Sequence, residues 1–259
     1  MSAFIVSSGG LLEIGAPSQL NRKTDQQVSF RSTLKGKRKA FIRKGGRRSW
    51  SVDVSAALPG VVSTIEAVAR NLGPVGWYPP EAVVGNLLSP QASGFDPGST
   101  DATDAGLVQI PDGTVARSVV SSVSVRVGSA HGSYEMVPLQ SGQPVTVGCW
   151  SVAGQWFRGF WRDATGASIT NWSAPAVTWS GWGWHQATLT PPAGAAFIEL
   201  HVAGGTQYAL PSVSWGTTAA RELGTGCPVA VIHSPSHSPV ALWAGANYTG
   251  SSYSVSEVG

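Results

Sequence analysis

Charge is scarce in this chain. Only 12% of its 259 residues are Asp, Glu, Lys or Arg, well under the share usual in soluble proteins. Cysteine is scarcer still. Cys149 and Cys227 stand far apart, which excludes a disulfide framework or a cysteine zinc site and makes two buried, reduced thiols the expectation. No apolar run reaches the roughly 18 residues of a membrane span. The first residues, MSAFIVSSGGLLEIGAPS, have neither the basic start nor the long apolar stretch of a secretory signal. The expectation is a protein made in the cytoplasm that crosses no membrane by the standard route.

Catalytic signatures are missing as well. G-x-S-x-G, H-E-x-x-H and the phosphate-binding loop do not occur. Glu135, Asp163 and Glu199 fall on different predicted strands and turns, whereas glycoside hydrolysis needs two carboxylates in one cleft. His233 and His237 are separated by prolines, so no helix presents them together. His131, His185 and His201 have no cysteine or carboxylate at metal-ligand spacing. No metal and no cofactor are expected, except that Asp101, Asp104 and Asp112 are the candidates for a calcium ion, without the EF-hand pattern. The chain reads as a binding or assembly protein and not as an enzyme.

What is present is uneven. The net charge of +3 comes from one stretch. Arg22, Lys23, Arg31, Lys35, Lys37, Arg38, Lys39, Arg43, Lys44, Arg47 and Arg48 cluster there, with Asp25 the only acid among them. Trp150, Trp156, Trp161, Trp172, Trp179, Trp182, Trp184 and Trp215 crowd a later stretch. Elsewhere, 32 glycines and 17 prolines punctuate short valine-rich runs, the texture of an all-β protein.

Local patterns predict the organisation. Val28 and Phe30 mark one strand, Ala40 to Arg43 a second and Ser49 to Ser55 a third, with turns at Lys35-Gly36-Lys37 and Lys44 to Arg47. Pro59 opens a helix over 59–72 with Val61, Val62, Ile65, Val68, Ala69 and Leu72 on one face, and Gly73-Pro74 ends it. Gln91 to Asp104 reads as a linker. From Leu107 to Trp215, alternating rows such as Val145, Val147 and Cys149, or Ile198, Leu200 and Val202 with Phe197, Glu199 and His201 outward, favour a jelly-roll β-sandwich. Thr217 to Pro228 reads as a second linker. The tail, too short to fold alone, is expected to pair with the N-terminal strands. The expected architecture is mainly β: a discontinuous domain of residues 1–90 and 218–259 with one helix, interrupted by an inserted sandwich over 91–217, as exposed loops allow.

In that order, "RRSWSVDVS", the proline-started helix, "GPVGWYPPEAVVGNLLSP" and the closing "ALWAGANYTGSSYSVSEVG" resemble minor tail proteins of tailed phages (siphophages) infecting actinobacteria. Val137 to Trp150 and "SGWGWHQATLTPPAGAAFIELHV" (Ser180 to Val202) are similar to carbohydrate-binding-module sandwiches. The resemblance implies a first domain like the tail-tube and distal-tail β-sandwich, assembled as a homo-oligomeric ring with other tail proteins near the tail tip or baseplate. It implies a virion component, made in the host cytoplasm, whose inserted domain reaches host cell-wall polysaccharide.

Two regions carry the candidate contacts. Trp182 and Trp184 share a strand face, Trp179 has the other parity, and Asn171, His185 and Gln186 supply polar neighbours for a sugar whose ring stacks on tryptophan. The competing reading places such rings in the core or at subunit interfaces, since eight exposed tryptophans would make a large adhesive patch. In the basic stretch, Lys35, Lys37, Arg38, Lys39, Arg43, Lys44, Arg47 and Arg48 suit a subunit interface or a charged edge that blocks strand pairing. Nucleic acid is the disfavoured partner, because between Lys35 and Arg48 Phe41 is the only interleaved aromatic. Two alternatives stay open: a polysaccharide-binding protein outside a virion, and a tail-associated glycan hydrolase.

Overall fold

A computed structural model of the protein describes residues 2–7, 10–25, 28–32, 38–42, 47–71, 73–94, 125–127, 132–133, 135–151, 155–175, 183–204, 207–243 and 246–258. Among them the chain is mainly β and forms two compact units. The first comprises Ile14–Val75 and Val229–Gly259, the second Ser2–Glu13 and Gly76–Pro228. Residues 2–13, 76–90 and 218–228, grouped by the sequence reading with the first domain, fall in the second unit. No helix among the described residues is long and apolar enough to cross a membrane.

The strands β1 (Ala3–Ser7) and β2 (Gly10–Gly15) open the chain. The first unit then holds β3 (Gln19–Asp25), β4 (Val28–Ser32), β5 (Arg38–Ile42), β6 (Arg47–Ala57) and α1 (Pro59–Asn71). It also holds most of the last two strands, Cys227–Trp243 and Ala246–Glu257, which are β17 and β18 in chain order. Within this unit β17, β18, β6 and β3 lie side by side, all antiparallel, and β4 pairs with β5 as a separate hairpin. The tail thus pairs with an N-terminal strand, Val255 opposite Trp50 and Tyr253 opposite Val52. Strand periodicity explains the packing. Trp50, Val52 and Val54 are buried on one face of β6, with Tyr253, Val255, Ala230 and Ile232. Helix α1 starts at the expected proline, buries Ile65 and Ala69, and packs on β18.

The second unit contains β1, β2, β7 (Val75–Tyr78) and two one-turn helices that the sequence reading did not anticipate, α2 (Pro80–Val84) and α3 (Pro90–Gly94). Nine strands follow: β8 (Val125–Val127), β9 (Gly132–Ser133), β10 (Val137–Pro138), β11 (Val145–Ser151), β12 (Gln155–Arg162), β13 (Ser168–Ser173), β14 (Gly183–Leu189), β15 (Phe197–Gly204) and β16 (Gln207–Trp215). One sheet runs β8-β16-β11-β14 and the other β10-β15-β12-β13, with β9 also along β15. Since β9 and β10 lie end to end on β15, they act as one interrupted strand. The resulting order, in which the chain alternates between two four-stranded layers, is that of a jelly roll.

Its core explains the sequence rows. Val145, Val147 and Cys149 of one sheet meet Phe157, Trp161, Trp172, Ile198 and Leu200 of the other, and all are buried. The same cluster continues into Phe4, Tyr78, Leu87 and Leu88. The segment expected to be a linker before β17 is well packed instead: Ala219, Gly224 and Gly226 are buried. Asn86, itself buried, organises this region. Its Nδ2 donates to the carbonyls of Pro211 (2.9 Å) and Glu222 (3.1 Å), and its Oδ1 accepts from the amides of Leu88 and Val213 (3.1 Å each). A buried amide satisfied on both ends fixes the loops that it joins.

Candidate functional site

The residues expected to form one sugar platform are distributed over three environments. Trp184 and Gln186 share the outer face of β14, and the Trp184 Nε1–H donates to Gln186 Oε1 at 3.1 Å. His185 points the other way, into the sandwich, where it stacks on Phe157 at 4.6 Å between centroids. Burial lowers its pKa below the ordinary histidine value, because desolvation disfavours the imidazolium. Asn171 lies on β13, in the opposite sheet, and is exposed. The sandwich separates it from Trp184. Trp179 and Trp182 lie outside the described residues.

Trp184 itself is packed rather than presented. Any side chain on Gly148 would collide with its ring and with Ala219, so that ring lies against the glycine. The Arg221 guanidinium sits 5.4 Å from the ring centroid, and Trp150 meets it edge-on at 5.8 Å. A sugar would have to displace Arg221 to stack there. Trp161 and Trp172 are core, as the competing reading held.

The basic stretch divides in a similar way. Lys35, Lys37, Arg43 and Lys44 lie outside the described residues, as do the turns that carry them. Arg38 and Lys39 are on β5, where Arg38 registers with Ser32 and Lys39 with Arg31. Arg47 is exposed at the start of β6. Arg48 is a correction to the interface expectation. Strand alternation turns it inward, where it is only 6% exposed. Its Nη2 donates to Glu257 Oε1 at 2.8 Å, while its Nε and its backbone amide donate to Oε2 at 3.0 Å each. Its guanidinium also lies 5.2 Å from the Trp50 ring centroid.

A different array is assembled on the outer face of the β10-β15-β12-β13 sheet. On β12, Phe157, Gly159 and Trp161 face the core, so Arg158, Phe160 and Arg162 face out. Register then sets their neighbours. Arg158 stands between Ser173 and His201, Phe160 between Asn171 and Glu199, and Arg162 beside Phe197. Arg162 Nε donates to Glu199 Oε2 at 2.8 Å, and Nη2 donates to the same oxygen. The other oxygen of Glu199 is 2.7 Å from His201 Nε2. The Phe160 ring is flanked by both partners of that carboxylate, the Arg162 guanidinium at 5.1 Å and the His201 ring edge-on at 5.6 Å. Gly159 permits this close approach, because a Cβ there would collide with the Glu199 carbonyl oxygen and the Trp172 ring.

Sequence reasoning placed Glu199 and His201 outward but missed Arg158, Phe160 and Arg162. The signal was in "WFRGFWRD", where Phe157, Gly159 and Trp161 alternate with Arg158, Phe160 and Arg162. Tryptophan density drew attention to the neighbouring stretch instead. Among the described residues, Asn171 is the one expected sugar contact that joins this array.

No cluster of His, Cys, Asp or Glu able to hold a metal occurs among the described residues, and Asp101, Asp104 and Asp112 fall outside them. Asp163, in the turn after β12, accepts from the amides of Thr165 (2.8 Å) and Ala167 (3.0 Å) and from the Thr165 hydroxyl (2.6 Å). Those bonds lower its pKa, the Thr165 hydroxyl first.

No protein-family model matches the chain, and a search of curated proteins finds no match. Among solved structures, the chain is similar to the crystal structure of the enzymatically active domain of tailspike protein 4 of bacteriophage CBA120. The identity is 12% and the TM-score 0.35, over 50% of this chain and 21% of the length of that one.

Proposed function

We propose that this chain is a structural component of a phage tail whose jelly-roll unit adheres to host-surface glycan. The first unit supplies assembly, as a ring of copies with other tail proteins. The second supplies the contact. The observation that carries the adhesive half is the outward array of Arg158, Phe160, Arg162, Asn171, Glu199 and His201 on three adjacent strands. A half-buried aromatic ring framed by fixed polar groups suits a sugar, which offers apolar CH faces and hydroxyl edges. The array sits on strands, with a register shift between Trp161 and Arg162, and strands hold side chains more firmly than loops do.

The same geometry supports binding over catalysis. Glu199 is engaged by Arg162 and His201 together, which suits an orienting group, whereas hydrolysis needs a pair of carboxylates facing each other across a cleft. The tail assignment rests on the resemblance of the sequence blocks around the helix and at the C-terminus. Adhesion by one such shallow site is weak, and repetition around a ring would raise it through avidity.

Immunogold electron microscopy of phage particles, with antibody against residues 107–215, tests the assignment. Label on tails is the expected outcome, and its position would tell tip from shaft. Abundant protein free in the lysate with bare tails would sink the tail reading and favour a binder outside the virion. Sugar release from host polysaccharide by the purified chain would favour a hydrolase instead.

A further inference from the structure

Within the array, Arg162 is fixed in place with donors to spare. Its Nε and Nη2 donate to Glu199, and its Nη1 donates weakly to the Gly166 carbonyl at 3.4 Å. The guanidinium also lies 5.1 Å from the centroid of the Phe160 ring. An arginine carries more N–H donors than these acceptors take up. One N–H on Nη1 and one on Nη2 remain, on adjacent nitrogens, and a quarter of the side chain is exposed (25%). The group is thus oriented before any ligand arrives, as a planar fork that suits two neighbouring oxygens.

A glycan offers two neighbouring oxygens either as a sugar carboxylate or as a pair of adjacent hydroxyls. The charges nearest the fork separate the two. Glu199 already matches the Arg162 charge in direct contact, and Asp163, the next residue, carries a second carboxylate, held by the amides of Thr165 and Ala167. Arg158 lies two alternate positions back along β12, about 13 Å away along the strand, beyond a screening length at ordinary ionic strength. An incoming carboxylate would share the guanidinium with one carboxylate and stand close to another, which is repulsive. Adjacent hydroxyls take the same two N–H bonds without that repulsion. Asn171, exposed and opposite Phe160 in register, adds a second argument. Its amide both donates and accepts, which matches a hydroxyl better than an accept-only carboxylate.

Building on the glycan-binding reading, we infer that the outer face of the β10-β15-β12-β13 sheet reads a pair of adjacent hydroxyls on a neutral glycan, with Arg162 forking the two oxygens and Glu199 acting as its positioning residue.

The test uses the full chain with dextran, maltodextrin and galactomannan. Each is set beside its form cleaved by periodate and reduced by borohydride, which destroys adjacent hydroxyls and leaves the glycan neutral. Polygalacturonate is set beside its carboxyl-reduced form. Binding is followed by isothermal calorimetry and affinity electrophoresis. The expected result is retention by at least one neutral member, reduced about tenfold or more on cleavage and little changed by salt. Arg162→Lys keeps the charge but loses the fork, so it should lose about tenfold toward the uncleaved glycan, with near-ultraviolet circular dichroism unchanged. Glu199→Gln, whose amide oxygen can still accept from Arg162, should keep the preference for the uncleaved form, while Glu199→Ala should lose it. Equal binding to cleaved and uncleaved forms, or binding only to polygalacturonate and lost on carboxyl reduction, would overturn the hydroxyl specificity and leave glycan adhesion standing. Binding to no member of the panel would overturn both. If Arg162→Lys does not fold, the comparison of cleaved and uncleaved glycans with the unaltered chain still decides.

Discussion

His185 shows how one side chain can leave its expected role because of strand parity. Its neighbours Trp184 and Gln186 face outward, so its own ring turns inward, half-buried, and stacks on Phe157. A half-buried imidazole resists protonation. Its pKa is lowered from 6.5 in the folded chain, so the unfolded chain binds the proton more readily as pH falls below that value. The contribution of neutral His185 to stability is complete above 6.5 and is lost as pH drops toward its lowered folded value. Thermal melts between pH 7.5 and 5 should show Tm falling on acidification, and His185→Phe, which keeps the stacking, should flatten that slope. An unchanged slope would place the acid sensitivity elsewhere. Cys149, opposite His185 on β11, is also buried, and desolvation pushes its thiol far above the usual range, which makes it a core hydrophobe and not a nucleophile.

At the scale of elements, the pair of Arg48 and Glu257 locks the start of β6 to the end of β18. Both side chains are nearly buried, at 7% and 10% exposure. Removing one partner strands the other charge in a dry site. Arg48→Ala or Glu257→Ala should each cost about 3–5 kcal/mol of stability, whereas Arg48→Met with Glu257→Leu should recover most of it. Urea unfolding of the four proteins checks this. A single variant that unfolds like the parent would mean the pair is effectively solvated. The exposed i,i+4 pair of Arg70 and Glu66 on α1, at 3.5 Å, is a useful contrast, since such a pair contributes only tenths of a kcal/mol.

At the scale of the whole molecule, the proposed ring has a measurable consequence. A shallow site bound singly gives weak retention, and copies displayed together gain on the order of 10²–10⁴ in avidity when their spacing allows joint engagement. Size-separated monomer and assembled forms, compared on an immobilised host-glycan surface at equal protomer concentration, should differ by about that margin. Equal retention would mean that assembly contributes nothing to adhesion.

Alternation along single strands was legible in the sequence, because the two faces of a strand differ every second residue. It gave the buried rows of β6, β11 and β15, the proline-started helix and the sandwich of jelly-roll type. It also placed Glu199 and His201 outward. Which strands lie side by side was a different matter. Nothing in the local pattern sets Arg162 beside Phe197, Phe160 between Asn171 and Glu199, or Asn171 on the sheet opposite Trp184. Those neighbours come from pairings between segments distant in sequence, and such pairings are decided by how two sheets close over one shared core. Arg48 makes the same point: its parity was readable, but the carboxylate that receives it lies 209 residues further along. The sequence alone determined which side chains share a strand face, and only the tertiary structure decided which of those faces meet.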